Sequence, residues 1–237
     1  MNMRKYLKYR WITRNRVRLP LDYIKGKRDK RRLEKKLPQL RTFSKQSHAA
    51  VEDLRSYYDE YILNFSSNDM AISLELAVFL MTLCYLIKPK RILDLGSGFS
   101  SFVFRRYQSR TYPRAEIWTI DDNPYWLEQT RIFLSSYDLL DDNLAIWNAF
   151  IQEEQGDFDL ILHDLGSMEI REETLTKVIT LSRPNGLIVL DDFHKTKYRA
   201  SVTQKLKHFE FEFYSLRSYT IDKLGRYSIL LTDYKKK

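Results

Sequence analysis

The sequence predicts an α/β protein with a doubly wound, mostly parallel sheet of seven strands and an antiparallel hairpin at its C-terminal end. Three observations carry that expectation. Short apolar runs, "RILDL" (91–95), "EIWTI" (116–120), "LAIW" (144–147), "FDLILH" (158–163) and "GLIVL" (186–190), alternate with stretches of helical apolar spacing. The runs are apolar throughout rather than at every second residue, which marks strands covered on both faces. The last stretch breaks the pattern: "FEFEFYSL" (209–216) alternates, and "GRYSILLTDY" (225–234) follows a "DKLG" turn, so the two read as an antiparallel pair.

Taken in chain order, the first element is a basic arm, residues 1–45. It holds 17 Lys+Arg against 3 Asp+Glu, whereas the remainder of the chain is mildly acidic. Its basic residues are interleaved with Tyr6, Tyr9, Trp11 and Ile12, a composition suited to nucleic-acid phosphates or an anionic membrane surface. The plainer reading is a solvated, partly helical arm, dispensable for folding. The remainder, residues 46–237, divides into a helical lead-in (46–88) and a core (89–237). "AAVEDLRSYYDEYIL" has helical spacing, and "SSNDM" supplies capping side chains before "AISLELAVFLMTLCYLI" (71–87). That window is too short for a membrane span of about 20 residues and contains Glu75, so it reads as a buried helix that "KPK" stops. Cys84 is the only cysteine, so no internal disulfide forms, and a reducing, cytoplasmic compartment fits. No apolar stretch of a secretory signal follows the N-terminal charges. "RPNG" before the fifth run reads as a turn with Gly186 at positive φ.

The first strand leads into "LGSG". The chain has only seven glycines, and two of them, Gly96 and Gly98, flank Ser97 here. Lacking Cβ atoms, they let backbone approach a ligand at the start of the next helix, where amide donors point outward. In open α/β sheets that is where ligands sit. The dinucleotide pattern G-x-G-x-x-G is met only partly, since Ser101 holds its third place. Asp94 would repel a pyrophosphate but attract an amine, so an amino-acid-bearing nucleoside fits better. Asp121, ending the second run in "TIDDNP", is placed to accept hydrogen bonds from ribose hydroxyls.

"RILDLGSG" with "TIDDNP" resembles the class I S-adenosylmethionine-dependent methyltransferases, over roughly residues 70–232. The resemblance implies a Rossmann-like fold and S-adenosylmethionine as cofactor. It implies that the glycine turn holds the methionine part and Asp121 the ribose. It places "NAFIQ" beside the adenine, which makes Asn148 and Phe150 candidates there.

Two later runs also end in acids: Asp164 in "HDLGS", and Asp191 and Asp192 in "DDFH". If their strands are neighbours, about 4.8 Å apart, three carboxylates converge beside the cofactor, a set suited to Mg²⁺ or another divalent ion. The pattern is similar to the catechol O-methyltransferase-like branch, with two departures: Asp192 stands where that branch has an amide, and Ser167 where it has a lysine. The alternative is that Asp191 or Asp192 caps the following helix. His194 is the expected general base, with Asp164 beside the reacting centre. His163 points to the opposite face and reads as core; His48 and His208 have no motif around them. The absence of a "[D/N]PP[Y/F]" motif after the fourth strand favours an oxygen acceptor, and family analogy a sugar, glycan or other small hydroxylated molecule. The alternatives are an RNA-directed methyltransferase that uses the arm as a clamp, and a nucleoside-binding adaptor without activity.

Overall fold

The computed structural model describes residues 22–153 and 156–235. The first 21 residues of the arm, with Tyr6, Tyr9, Trp11 and Ile12, lie outside the described residues. The described residues open with helix α1 (residues 22–36) and a 3₁₀ turn (Pro38–Thr42), then α2 (Phe43–Asn64) and α3 (Leu74–Ile87). The alternating part follows: β1 (Arg91–Leu95), α4 (Phe99–Arg110), β2 (Glu116–Asp121), α5 (Pro124–Ser135), β3 (Leu144–Ile146), α6 (Trp147–Glu153), β4 (Phe158–His163), α7 (Met168–Leu181) and β5 (Ser182–Leu190). It closes with α8 (Thr196–Leu206), β6 (Glu210–Ser215), the short α9 (Arg217–Thr220) and β7 (Ile229–Lys235).

The seven strands form one sheet in the order β3-β2-β1-β4-β5-β7-β6. The first five are parallel; β7 runs antiparallel to both β5 and β6. The sequence expectation of a mostly parallel sheet with antiparallel C-terminal strands therefore holds. One apolar layer packs on each face. Residues of α2, α3, α4 and α5 cover one face, and those of α6, α7 and α8 cover the other. Successive strands step outward in opposite directions from β1 and β4, which makes the gap between these two the switch point.

Local chemistry explains where helices start and stop. Ser73 caps α3 by accepting from the Leu76 amide at 3.1 Å, so residues 71–73 of the apolar window stay outside the helix. Lys88, at φ 50°, ends it in a left-handed turn before Pro89. The "RPNG" segment is not a separate turn but part of β5. Its positive φ falls on Asn185 (62°) and not on Gly186 as expected. Gly186 serves close approach instead: a Cβ there would lie 2.8 Å from the Phe158 carbonyl oxygen of the neighbouring strand.

The boundary drawn at residue 45 falls inside α2. From residue 22 onward the arm is packed on the domain: Leu33 and Leu40 are buried in the main apolar layer. Asp29 accepts a hydrogen bond from the Ser215 amide of β6 at 3.1 Å. Among the described residues, no helix is long and apolar enough to cross a membrane.

Candidate active site

Backbone pairing sets the site. Leu95 at the end of β1 is in register with Ile120 of β2 and His163 of β4, and His163 with Leu190 of β5. The next residues in each strand therefore line up as one row: Gly96, Asp121, Asp164 and Asp191. Hydrogen bonds carry the row past the strand ends, from the Gly96 amide to the Ile120 carbonyl at 2.8 Å and from the Asp164 amide to the Leu95 carbonyl at 2.7 Å. Beyond this row lies a cleft of about 340 Å³.

Gly96 forms the floor. Its φ is 99°, and a Cβ would stand 2.4 Å from the Asp164 carbonyl oxygen, so a side chain is excluded by both conformation and space. Ser97 ties the turn to β2: its amide and its hydroxyl each donate to Asp121 Oδ2 at 2.7 Å. Asp121 Oδ1 takes the Asn123 amide at 2.9 Å. A carboxylate has about four acceptor positions, so Asp121 retains capacity toward the cleft that it lines. Burial pushes its carboxyl above the ordinary range, against the pull of the Ser97 bonds. Gly98, at φ 148°, starts α4.

Asp94 has a different place from the expected one. It is fully buried beneath the turn, outside the cleft lining, and accepts the Ser101 hydroxyl at 2.6 Å. Burial raises its carboxyl to about 7, partly offset by Ser101 and Ser100. It braces the turn rather than presenting a charge to a ligand. Asn148 and Phe150 also depart from expectation. "NAFIQ" is helical, Phe150 packs against Trp118, Trp147 and Phe158 in the core, and Asn148 is exposed; neither lines the cleft. The third strand reaches the row only with its last residue, Ile146 opposite Asp121, and the chain turns at once into α6.

The three acids do not gather a metal ion. The Arg171 guanidinium stands between Asp164 and Asp192, paired with the first and 3.0 Å from Oδ2 of the second. Lys195 adds a contact to Asp192 at 2.6 Å. Asp191 turns away and accepts the Ser228 hydroxyl at 2.7 Å. The positive charge that close carboxylates require is thus supplied by Arg171 and Lys195, and the donor set does not fit a divalent cation. Among the described residues no group of three His, Cys, Asp or Glu side chains is arranged to hold one. The capping alternative is not realised either, since α8 begins after Lys195 without a side-chain cap.

These pairings divide the acids. Burial drives the Asp164 carboxyl well above its usual range, although Arg171 opposes it. Burial acts the same way on Asp192, but the Lys195 hydrogen bond and the Arg171 charge prevail and hold it low. Arg171 itself is kept charged: its carboxylate neighbours outweigh its burial. His194 Nδ1 lies 3.5 Å from Asp192 Oδ1, and burial lowers the imidazole below its usual 6.5 despite that neighbour. His194 is not part of the cleft lining and stands behind Asp192. His163 is buried, neutral and bonded to the Arg171 carbonyl at 3.1 Å, a core residue as the sequence indicates. His48 and His208 take no part.

Tyr61, Met70, Trp126 and Arg171 are among the lining residues that the sequence reading did not assign to the site. Tyr61 comes from α2, and Met70 from the strap between α2 and α3, so the lead-in forms one wall. Arg171 was detectable in principle. It shares a helix face with Leu175 and Val178, an apolar stripe in which an arginine is an anomaly. Replacing it with methionine is expected to destabilise the fold by about 3 kcal/mol, because Asp164 loses its ion-pair partner while Asp192 keeps Lys195. Chemical unfolding measures this; a loss under 1 kcal/mol would contradict the bridging role.

Comparison with known proteins agrees with this geometry. A family described as "Methyltransferase domain" matches residues 87–224. No curated protein matches the chain. Among solved structures, the SAH-bound methyltransferase PaMTH1 of Podospora anserina is 17% identical with a TM-score of 0.63, over 83% of this chain and 96% of that one. The O-methyltransferase TomG of Streptomyces achromogenes, involved in tomaymycin synthesis and solved with SAM, is 17% identical with a TM-score of 0.58, over 81% and 90%. An O-methyltransferase of Klebsiella pneumoniae, described as putative, is 18% identical with a TM-score of 0.57, over 91% and 100%. At such identities the likeness is one of fold.

Proposed function

We propose, from the premise that this chain belongs to the methyltransferase-domain family, that it is an S-adenosylmethionine-dependent O-methyltransferase acting on a small hydroxylated acceptor such as a sugar or glycan. The observation that carries the reading is the glycine turn at the switch point, where Gly96 leaves no room for a Cβ and Ser97 locks the turn onto Asp121. When bound, S-adenosylmethionine supplies an electrophilic methyl group on a positively charged sulfur.

The chain's own contribution is mainly positioning, which suits a direct displacement. Gly96 and Gly98 admit the ligand close to backbone. The free acceptor capacity of Asp121, with neighbouring Asp122, suits ribose hydroxyls. Trp126 and Met70 offer the apolar surfaces that an adenine ring needs, in place of Asn148 and Phe150. Asp164 sits beside the turn, paired with Arg171, and fixes that guanidinium at the edge of the cleft rather than taking a proton. His194, outside the cleft lining and 3.5 Å from Asp192, is the proposed base for an acceptor hydroxyl that enters past Asp192, and burial lowers its imidazole below the usual 6.5. An oxygen acceptor is supported by "DLGS" after β4.

The test is turnover of S-adenosylmethionine with panels of hydroxylated and amine acceptors. His194→Ala is expected to lower kcat by about 10²–10⁴-fold. Imidazole accepts a proton only when neutral. The parent's rate should therefore climb with pH along a limb below 6.5, then level off; the variant should lack that limb. A variant that keeps both rate and limb places the base elsewhere. Turnover of amine acceptors alone would overturn the oxygen assignment.

A further inference from the structure

The two sides of α1 have opposite chemistry. Gly26, Asp29 and Leu33 face the domain, with Leu33 fully buried and Asp29 bonded to the Ser215 amide. On the other side Ile24, Lys27, Arg28, Arg31 and Lys35 follow one another at the spacing of a single helical face, and all are exposed. No carboxylate lies among them. The acids of the helix are engaged elsewhere: Asp22 with Arg199 at 3.7 Å, Asp29 with Arg32 at 3.3 Å, and Glu34 with Lys30 at 3.8 Å and the Tyr219 hydroxyl at 3.2 Å. Arg28, Arg31 and Lys35 form no ion pair with any described residue. The outcome is a cationic face without counter-charge, on a helix seated against the edge strand β6.

Cations alone fit any polyanion, and two further residues discriminate. Tyr23 and Ile24 are 54% and 61% exposed at the N-terminal end of this face. Residues 1–21 join there, and that sequence holds seven Lys+Arg and no Asp or Glu, with Leu7, Trp11 and Ile12 among them. Trp11 and Tyr23 can stack on unpaired bases, but a nucleic acid offers little apolar surface to Leu7, Ile12 and Ile24. A bilayer interface buries them at the headgroup boundary while neighbouring Lys and Arg reach anionic lipids.

We propose that the outward face of α1 docks this enzyme on an anionic lipid bilayer. Cations provide the attraction, and Tyr23 with Ile24 enters the interface. The bond is peripheral and reversible, and it leaves the strand-end cleft outside the contact.

The experiment is co-sedimentation of the full chain with vesicles of phosphatidylcholine, with and without phosphatidylserine. Binding is expected only with the anionic lipid, and it should weaken as salt rises past the physiological range. The combined change Lys27→Glu, Arg28→Glu, Arg31→Glu and Lys35→Glu should lower the bound fraction at least tenfold at an unchanged thermal midpoint. If that midpoint falls, the single reversals Arg31→Glu and Lys35→Glu take its place, each expected to weaken binding severalfold. Equal binding to neutral vesicles, or undiminished binding by the folded variants, overturns the proposal. So does mixed-sequence RNA that strips the protein from anionic vesicles at equal phosphate concentration, which would make the face a nucleic-acid surface.

Discussion

Gly96→Val is expected to abolish cofactor binding, with affinity for S-adenosylmethionine falling more than about 100-fold, or roughly 3 kcal/mol. The first valine atom beyond the backbone would meet the Asp164 carbonyl oxygen at 2.4 Å and its carbon at 2.7 Å. Both belong to main chain, so no rotamer change relieves the overlap. The end of β4 would have to withdraw and give up the hydrogen bond from the Asp164 amide to Leu95. The φ of 99° adds backbone strain of its own, and a β-branched residue tolerates that region poorly. The turn can relax only by moving into the space the ligand needs. Calorimetric titration reads the affinity directly; a variant that binds like the parent would remove this turn from the site.

The second large effect is on stability. A chain starting at residue 46 is expected to lose on the order of 5–8 kcal/mol, since fully buried leucines are each worth about 2–5 kcal/mol, and both Leu33 and Leu40 would go. Further contacts go with them, including Asp29 to the Ser215 amide and Glu34 to the Tyr219 hydroxyl. Removing only residues 1–21 spares all of these and should leave the thermal midpoint within a few degrees. Thermal unfolding of the two shortened chains separates the cases. Equal midpoints would mean that α1 adds nothing to the domain.

That contrast marks the limit of what the sequence reveals. The parallel strands were legible because a strand buried on both faces carries consecutive apolar residues, as Ile92–Leu93 of β1, Leu160–Leu162 of β4 and Leu187–Leu190 of β5 do. The glycine turn was legible because glycines are scarce here, and Asp121 because it ends a strand at the expected distance. The charges misled. Helix α1 holds its place through few apolar side chains, Leu33 above all, and its basic residues conceal that pattern. Arg171 left one local trace, a charge in the stripe of Leu175 and Val178, but its partners Asp164 and Asp192 come from other elements that the spacing does not connect to it. The metal expectation followed, because three acids without a visible cation call for one. Asn148 and Phe150 depended on the length of β3, a boundary that apolar spacing does not define.

The position of β7 bears on how the chain matures. It lies between β5 and β6 although it follows both in the sequence. During synthesis the rim of β5 stays open until residues 229–235 have emerged. Until then β6 has no neighbour in the sheet, so α1, which rests partly on β6, lacks its final seat. The parallel half can condense early, but an exposed β5 rim invites pairing with other chains. A chain lacking residues 229–235 should therefore be a client for holding chaperones, whereas the full chain, once free of the ribosome, should release itself.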